Sequence, residues 1–441
     1  MIEPLVALSE SVLLGLHGTS QELASLSLAA VVFSFVIYTF QGLQVASLST
    51  LSAHLKRREE DQAKQTLATI IVTAVVAGVV AAALVPSVSP FILKIVTSGS
   101  EKQGAVALAL TYIHIKALAL PAILTNMAGL AALVAQRRTG LVVLLALAMV
   151  SFHRLIATFF ISHQGLYITG AGYSVLISQW CLCAAVLFAL LLPPPHHHHH
   201  HTSSSTSPPR WMTVPLIPWL ASWARLKMMA GSLGFIGLGY AFKTMSYLVC
   251  QTMSGGLPVI QLAAHQSAFA LQSLALFFDA PAEKLAITFS AGISKTEARR
   301  VARSLGILGS LQSFVVGLLV WSVLTFAPRL LTSDPTTWKY LALVAPFAWV
   351  AVVLNGLELG ASGVLMGRGH TKSYATLHLI VLGILLGLRT ALGAFHVHTT
   401  LLSTWSMFLL FFLCRSVLAN LFFRRHEGYF WMVPDRSTSI Q

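Results

Sequence analysis

Long apolar runs, separated by short connections that hold most of the charge, dominate this chain. A helix needs about 20 mostly apolar residues to cross a bilayer. Runs that meet this requirement are expected at roughly 1–16, 22–50, 63–86, 105–136, 139–162, 168–192, 228–254, 258–291, 301–326, 337–366, 372–394 and 399–423. In lipid only helices and closed barrels satisfy their own backbone groups. Barrel strands are short and alternate in polarity, and these runs do neither. The expected fold is therefore an all-α membrane protein with about twelve transmembrane helices.

Composition excludes the soluble alternative. Charged residues make up 10% of the chain and apolar ones 56%, whereas soluble domains carry about 25% charge. Polar side chains are too few to cover a water-exposed surface, so the excess apolar area must face lipid. The net charge of +14 would suit nucleic acid, but the basic residues sit in short loops between apolar runs. No nucleic-acid partner is expected. Cys181, Cys183, Cys250 and Cys414 all lie in apolar runs and read as buried, inert thiols. No signal or transit peptide is apparent. Glu3 and Pro4 follow Met1 almost directly, so the first helix is expected to lack its N-terminal part.

The runs divide into two sets of six. Residues 1–192 read as one lobe and 228–424 as the other, followed by a tail at 425–441. Between them, 193–210 reads PPPHHHHHHTSSSTSPPR, a composition that does not pack a core. The His196–His201 run is read as low complexity rather than as a metal site. Residues 211–227 mix tryptophan with basic residues, as interfacial segments do. The lobes echo each other: SAHLKRREEDQAKQTLA (52–68) parallels SAGISKTEARRVARSLG (290–306), and TYIHIKALALPAIL (111–124) parallels KYLALVAPFAWV (339–350). Internal repeats of this kind occur in secondary transporters, with the substrate path between repeats.

Basic residues set the orientation. Loops after even-numbered runs carry Lys56–Arg58, Arg137, Arg138, Lys295, Arg299, Arg300, Arg303, Arg368 and Lys372, and the tail adds Arg424 and Arg425. The opposite loops carry only Lys94, Lys102, Arg329 and Lys339. The bias places the linker and both ends of the chain on the cytoplasmic or equivalent side.

Ionisable side chains inside spans are costly and face a cavity or a partner. Glu10, within LVALSESVLLG, reads either as a proton or sodium site, helped by Ser9 and Ser11, or as a residue near a membrane surface. Asp279 and Glu283, four residues apart, share a helix face. They read as a cation site or as a neutralised cluster with Lys284 and Lys243. Lys243 either attracts an anionic substrate or pairs with Asp279. His265 and Gln266 are polar within an apolar run. Glu358 lies off a stripe of Gly356, Gly360, Gly363 and Gly367 that marks close helix packing, and is expected to face the cavity. Arg154, Arg389 and Arg415 read as structural or as snorkelling residues. No Walker loop, GxSxG or HExxH occurs, so neither a nucleotide-driven pump nor an enzyme is expected.

Several segments resemble the multidrug and toxic compound extrusion (MATE) transporters. EPLVALSESVLLGLHGTSQELASLSLA (3–29) is similar to the family's first two helices, with Glu10 where the family has an Asp five residues before a Gly. YIHIKALALPAIL (112–124) resembles the family's YLxIRAxGxPA, and TGAGYSVLISQW (169–180) its AGAAxATVxSQ. LAAHQSAFALQSLALFFD (262–279) resembles the AAHQ helix of the branch with chloroplast-envelope members in plants, where Lys243-Thr244 stands for Arg-Thr. Departures are the Glu for Asp, AQRRT (135–139) in place of a GxQDT-like turn, and Pro281, Glu283 and Lys284 in the eighth helix.

The resemblance implies two pseudo-symmetric six-helix lobes, alternating access, and export of a small organic compound in exchange for protons or sodium, with no other cofactor. Glu10, Asp279 and Glu283 would then couple the ion, and Lys243, His265, Gln266, Asn126, Asn355 and Glu358 would line the substrate cavity. A monomer in the bilayer is expected, in a plastid envelope, vacuolar or plasma membrane. Two rivals stand beside this reading: a lipid-linked oligosaccharide flippase of the same superfamily, which a basic lining would favour, and a degenerate membrane protein that transports nothing.

Overall fold

The computed structural model describes residues 3–56, 59–97, 103–191, 223–290, 293–395 and 399–428. The Pro, His and Ser-rich linker and most of the tail lie outside them. Thirteen α-helices follow in order. The first half holds α1 (Glu3–His17), α2 (Ser20–Lys56), α3 (Glu60–Val96), α4 (Gln103–Ala117), α5 (Leu120–Ala135), α6 (Thr139–Thr158) and α7 (Tyr167–Leu191). The second holds α8 (Trp223–Ser254), α9 (Val259–Ser290), α10 (Lys295–Phe326), α11 (Pro335–Gly367), α12 (Thr371–Ala394) and α13 (Leu401–Glu427). No strand occurs among the described residues.

The fourth expected run is a broken one. It contains both α4 and α5, which bend by 54° across Leu118 and Ala119. Pro121 causes the break, because proline removes an amide donor and its ring clashes with the carbonyl one turn earlier. The bent backbone is packed closely, since a Cβ on Gly78 of α3 would lie 2.4 Å from the Pro121 Cα. With α4 and α5 counted as one broken helix, the described helices number twelve. The matching proline of the second half, Pro346, sits inside α11 without breaking it. The interfacial segment also ends earlier than expected, because Trp223–Lys227 already forms the first turn of α8.

Local signals set several helix ends. Ser294 and Glu297 form a capping box at the start of α10, and Thr400 with Ser403 does the same for α13. Asp334 caps α11 through the Thr336 amide, with Pro335 at the first helical position.

Seven described helices are long and apolar enough to cross a membrane, or eight if the bent pair is one span. Val143, Leu144, Leu147 and Leu155 on α6, and Leu308, Leu311 and Leu319 on α10, are all exposed. Apolar patches of this extent belong in lipid, and the chain is a multi-pass integral membrane protein. Helices outside the set of seven include α1, α2, α8 and α9, which lie between the halves: α1 and α2 pack on α9, and α2 packs on α8. Their apolar runs are interrupted by groups such as Gln266, Gln272 and Asp279 on α9. These inner helices face the space between the halves along much of their length.

The glycine stripe on α11 packs as expected, on two neighbours. A Cβ on Gly356 would meet Ser313 of α10 at 2.3 Å, and one on Gly360 the Ala302 carbonyl at 2.3 Å. Gly363 and Gly367 instead press on Ala286 and Ile287 of α9. The stripe lets α11 sit against both helices.

Candidate functional site

A cavity of about 260 Å³ lies between the halves. One wall comes from α1, α2, α4, α5 and α7, the other from α8, α9, α11 and α13. On α1 it reaches Glu3, Pro4 and Ala7, and on α2 it runs from Ala30 to Val45. Both stretches lie toward the face that carries the basic loops. The opposite end is closed. There the Ser333 amide donates to the Gly15 carbonyl at 2.9 Å, and the Ser20 hydroxyl donates to Asp334 at 2.9 Å. The α1–α2 turn is thereby tied to the α10–α11 turn, and a Cβ on Gly15 would lie 2.1 Å from the Leu331 carbonyl oxygen. Asp334 also accepts from Thr336 and Thr337. Its slight burial works against ionisation, but these hydrogen bonds outweigh it and hold the carboxyl below its usual range.

Of the expected cavity residues, Lys243, Gln266, Asn126 and Asn355 line the space, and so does Glu283 of the expected coupling set. The other four do not. Glu10 is fully buried on α1 and accepts a hydrogen bond from Tyr112 of α4. Its expected oxygen neighbours turn elsewhere: the Ser11 hydroxyl accepts from Gln266 at 3.0 Å, and the buried Ser9 hydroxyl has no hydrogen-bond partner. Asp279 is fully buried and accepts from Asn355 at 3.0 Å rather than pairing with Lys243. Glu283 receives Ser362 at 3.4 Å, so the two carboxyls of α9 meet different residues of α11. The helix rotation between them turns one to the cavity and the other into the packing. Among the described residues no group of three or more metal-ligating side chains forms a metal site.

His265 and Glu358 depart from expectation. The His265 ring packs against Phe269, Trp405 and Phe408, with centroids 5.6 to 6.0 Å apart, and its Nε2 lies 3.4 Å from Gln251. It sits in an aromatic core one position away from Gln266, which faces the cavity. Glu358 faces α13, where it pairs with Arg415 at 2.8 Å, both nearly inaccessible. Arg415 in turn lines the cavity. Of its two expected readings, structural or snorkelling, the structural one holds.

A second pair was not expected, although Lys116 is itself an ionisable residue inside an apolar run. Glu3 and Lys116 meet at 2.8 Å. Glu3 and Glu10 lie two turns apart on α1, and Lys116 and Tyr112 one turn apart on α4. Each α1 carboxyl thus meets one α4 partner, in antiparallel order. Only knowledge that these two helices adjoin would have revealed the pairs.

Comparison with known proteins bears on this arrangement. An inward-facing multidrug resistance MATE family transporter of the MOP superfamily superposes with a TM-score of 0.72 at 16% identity, over 97% of this chain and 94% of that one. An outward-facing structure of such a transporter gives 0.69 at 17% identity, over 97% and 93%. The eukaryotic MATE transporter AtDTX14 gives 0.70 at 16% identity, over 96% and 93%. This is the MATE transporter fold. The MatE family model matches residues 2–159, within the first half. No curated protein sequence matches. In the frame of the MATE fold, the cavity is the space between the two lobes, and the Gly15–Ser333 and Ser20–Asp334 contacts close the lobes over its far side.

Proposed function

We propose that this chain is a MATE-family secondary transporter that exports organic compounds in antiport with protons or sodium. The observation that carries the reading is the inter-lobe cavity, which both halves line and which is sealed on the side away from the basic loops. A cavity open to one side at a time is what alternating access requires, and the ion must bind the two states unequally to drive it. Glu10 is the N-lobe coupling carboxyl, held by Tyr112 and adjoining the Ser11–Gln266 bridge between lobes. Asp279 and Glu283 form the C-lobe candidate. The AAHQ sequence on α9 supports placement near the chloroplast-envelope branch.

The test is flux in proteoliposomes under an imposed pH or sodium gradient. Gradient-dependent flux that drops with Glu10→Gln or Asp279→Asn supports antiport and names the ion. Unchanged pH-driven flux in both variants removes the coupling assignment.

The flippase reading keeps one specific observation in its favour: Lys116, Lys243, Lys284 and Arg415 outnumber Glu3 and Glu283 along the wall. Two of those cations are already paired, however, and the rest of the wall is largely apolar and aromatic. Lipid scrambling in vesicles, without a gradient, separates the two.

A further inference from the structure

The two halves carry different charge at the face with the basic loops. In the echoed segments, 52–68 sets four basic residues against three acidic ones, whereas 290–306 sets Lys295, Arg299, Arg300 and Arg303 against Glu297 alone. The end of α13 adds Arg424 and Arg425, both exposed. The carboxylates nearby are already engaged. Glu297 closes the capping box with Ser294, and Glu427 meets Arg368 and His370 at 3.2 and 3.1 Å. Basic charge is therefore in excess at this end of the second half.

The packing brings two of these arginines to one seam. A Cβ on Gly428, where α13 ends, would lie 3.7 Å from Nη1 of Arg299, so the end of α13 abuts the start of α10. Arg303 lies one turn deeper than Arg299, and Arg424 one turn deeper than Gly428, and both are exposed. One further turn along α13, Asn420 donates to the Leu357 carbonyl of α11 at 3.3 Å. Ala302 of α10, Ala361 of α11 and Ala419 of α13 belong to one packed cluster, so α11 forms the floor between the two helices.

Deeper in the membrane the seam is apolar. On α10, Ile307 and Phe314 follow Arg303 at i+4 and i+11; on α13, Val417 and Leu413 precede Arg424 at i−7 and i−11. Each helix thus carries its arginine at the head of one apolar face. These four side chains are exposed, as are Leu357 and Val350 of the floor. A lipid-facing groove with an apolar bed and a basic rim matches a phospholipid with an anionic headgroup, whose phosphate suits the guanidinium fork.

We infer that the seam between α10 and α13 holds an anionic phospholipid, with its phosphate on Arg303 and Arg424 and its acyl chains over Leu357. The site is separate from the inter-lobe cavity and does not rest on the transporter reading. Asn355 and Leu359 of α11 face the cavity, while Leu357 between them is exposed on the opposite side of the helix.

The test is native mass spectrometry of the full-length protein in detergent, titrated with dioleoyl-phosphatidylglycerol or dioleoyl-phosphatidylcholine. Each variant is first shown to elute as a monodisperse species. Wild type binds phosphatidylglycerol saturably and phosphatidylcholine far more weakly. Arg303→Gln with Arg424→Gln weakens phosphatidylglycerol binding roughly 10- to 100-fold, the loss of two charge-assisted contacts. Lys56→Gln with Lys64→Gln removes the same charge from the first half and leaves that binding unchanged. In wild type, a phosphatidylglycerol with a photoreactive acyl chain crosslinks to α10, α11 or α13. Equal weakening in both double variants, or crosslinks confined to other helices, reduces the effect to general surface charge and overturns the site. Saturable binding of inorganic phosphate, with no preference for phosphatidylglycerol over phosphatidylcholine, assigns the arginines to a free anion and overturns the lipid.

Discussion

The Tyr112 hydroxyl sits 3.0 and 2.9 Å from the two carboxylate oxygens of Glu10 and donates its proton between them. Both residues are buried, at 1% and 0% exposure, so this bond carries the cost of placing a carboxyl in an apolar interior. Tyr112→Phe is expected to destabilise the fold by roughly 1.5–3 kcal/mol, the range for a hydrogen bond to a charged group. In a Glu10→Gln background the same change costs less. Thermal unfolding of the double-mutant cycle measures the coupling. Additive losses would show that the bond contributes nothing.

The Glu358–Arg415 pair offers a second check. Removing one member leaves a charge without its partner in the interior, a loss of roughly 3–5 kcal/mol. Arg415→Met alone is expected to unfold at a markedly lower temperature. Arg415→Met with Glu358→Gln recovers much of that loss. A double variant as unstable as the single one would mean that packing of the arginine stem, not charge, holds α13 to α11.

The sealed end of the cavity depends on Gly15. Any side chain there meets the Leu331 carbonyl. Gly15→Val is expected to hold the lobes apart at that end, so a cysteine placed at Ser333 becomes more accessible to an impermeant thiol reagent. Unchanged labelling would show that the two turns rearrange without strain.

Asp334 determines how that end responds to pH. Its hydrogen bonds hold the carboxyl below its usual range, so its contribution is fully present above the unfolded value of about 3.9 and is lost only as pH falls through the lower folded value. Labelling of a cysteine placed at Ser333, taken relative to a fully exposed cysteine so that the thiol's own pH dependence cancels, should therefore be flat between about pH 7 and pH 5. Opening within that window would place the responsible group elsewhere.

Apolar runs long enough to cross a bilayer made the order of the helices legible, whereas 105–136 reads as one run and the 54° bend between α4 and α5 does not show in it. Lys243 was also expected at the cavity, and it lines it. What the sequence could not convey is which distant residues meet. Glu3 and Lys116 are far apart along the chain, and Arg415 stayed open between a structural and a snorkelling residue because nothing nearby in sequence marks Glu358 as its partner. His265 and Gln266 are adjacent in the chain, yet a single helical step turns one into an aromatic core and the other into the cavity. The facing of Asp279 and Glu283 is of the same kind: a shared helix face spans enough arc to meet two different surroundings.

Alternating access requires the Ser20–Asp334 contact to break in every cycle. The most direct test replaces both residues with cysteine, in a variant whose native cysteines are serine, and measures gradient-driven flux in proteoliposomes. The account predicts that the oxidised protein is inactive and that reduction restores flux to the level of the uncrosslinked control. Undiminished flux with the disulfide fully formed would contradict it.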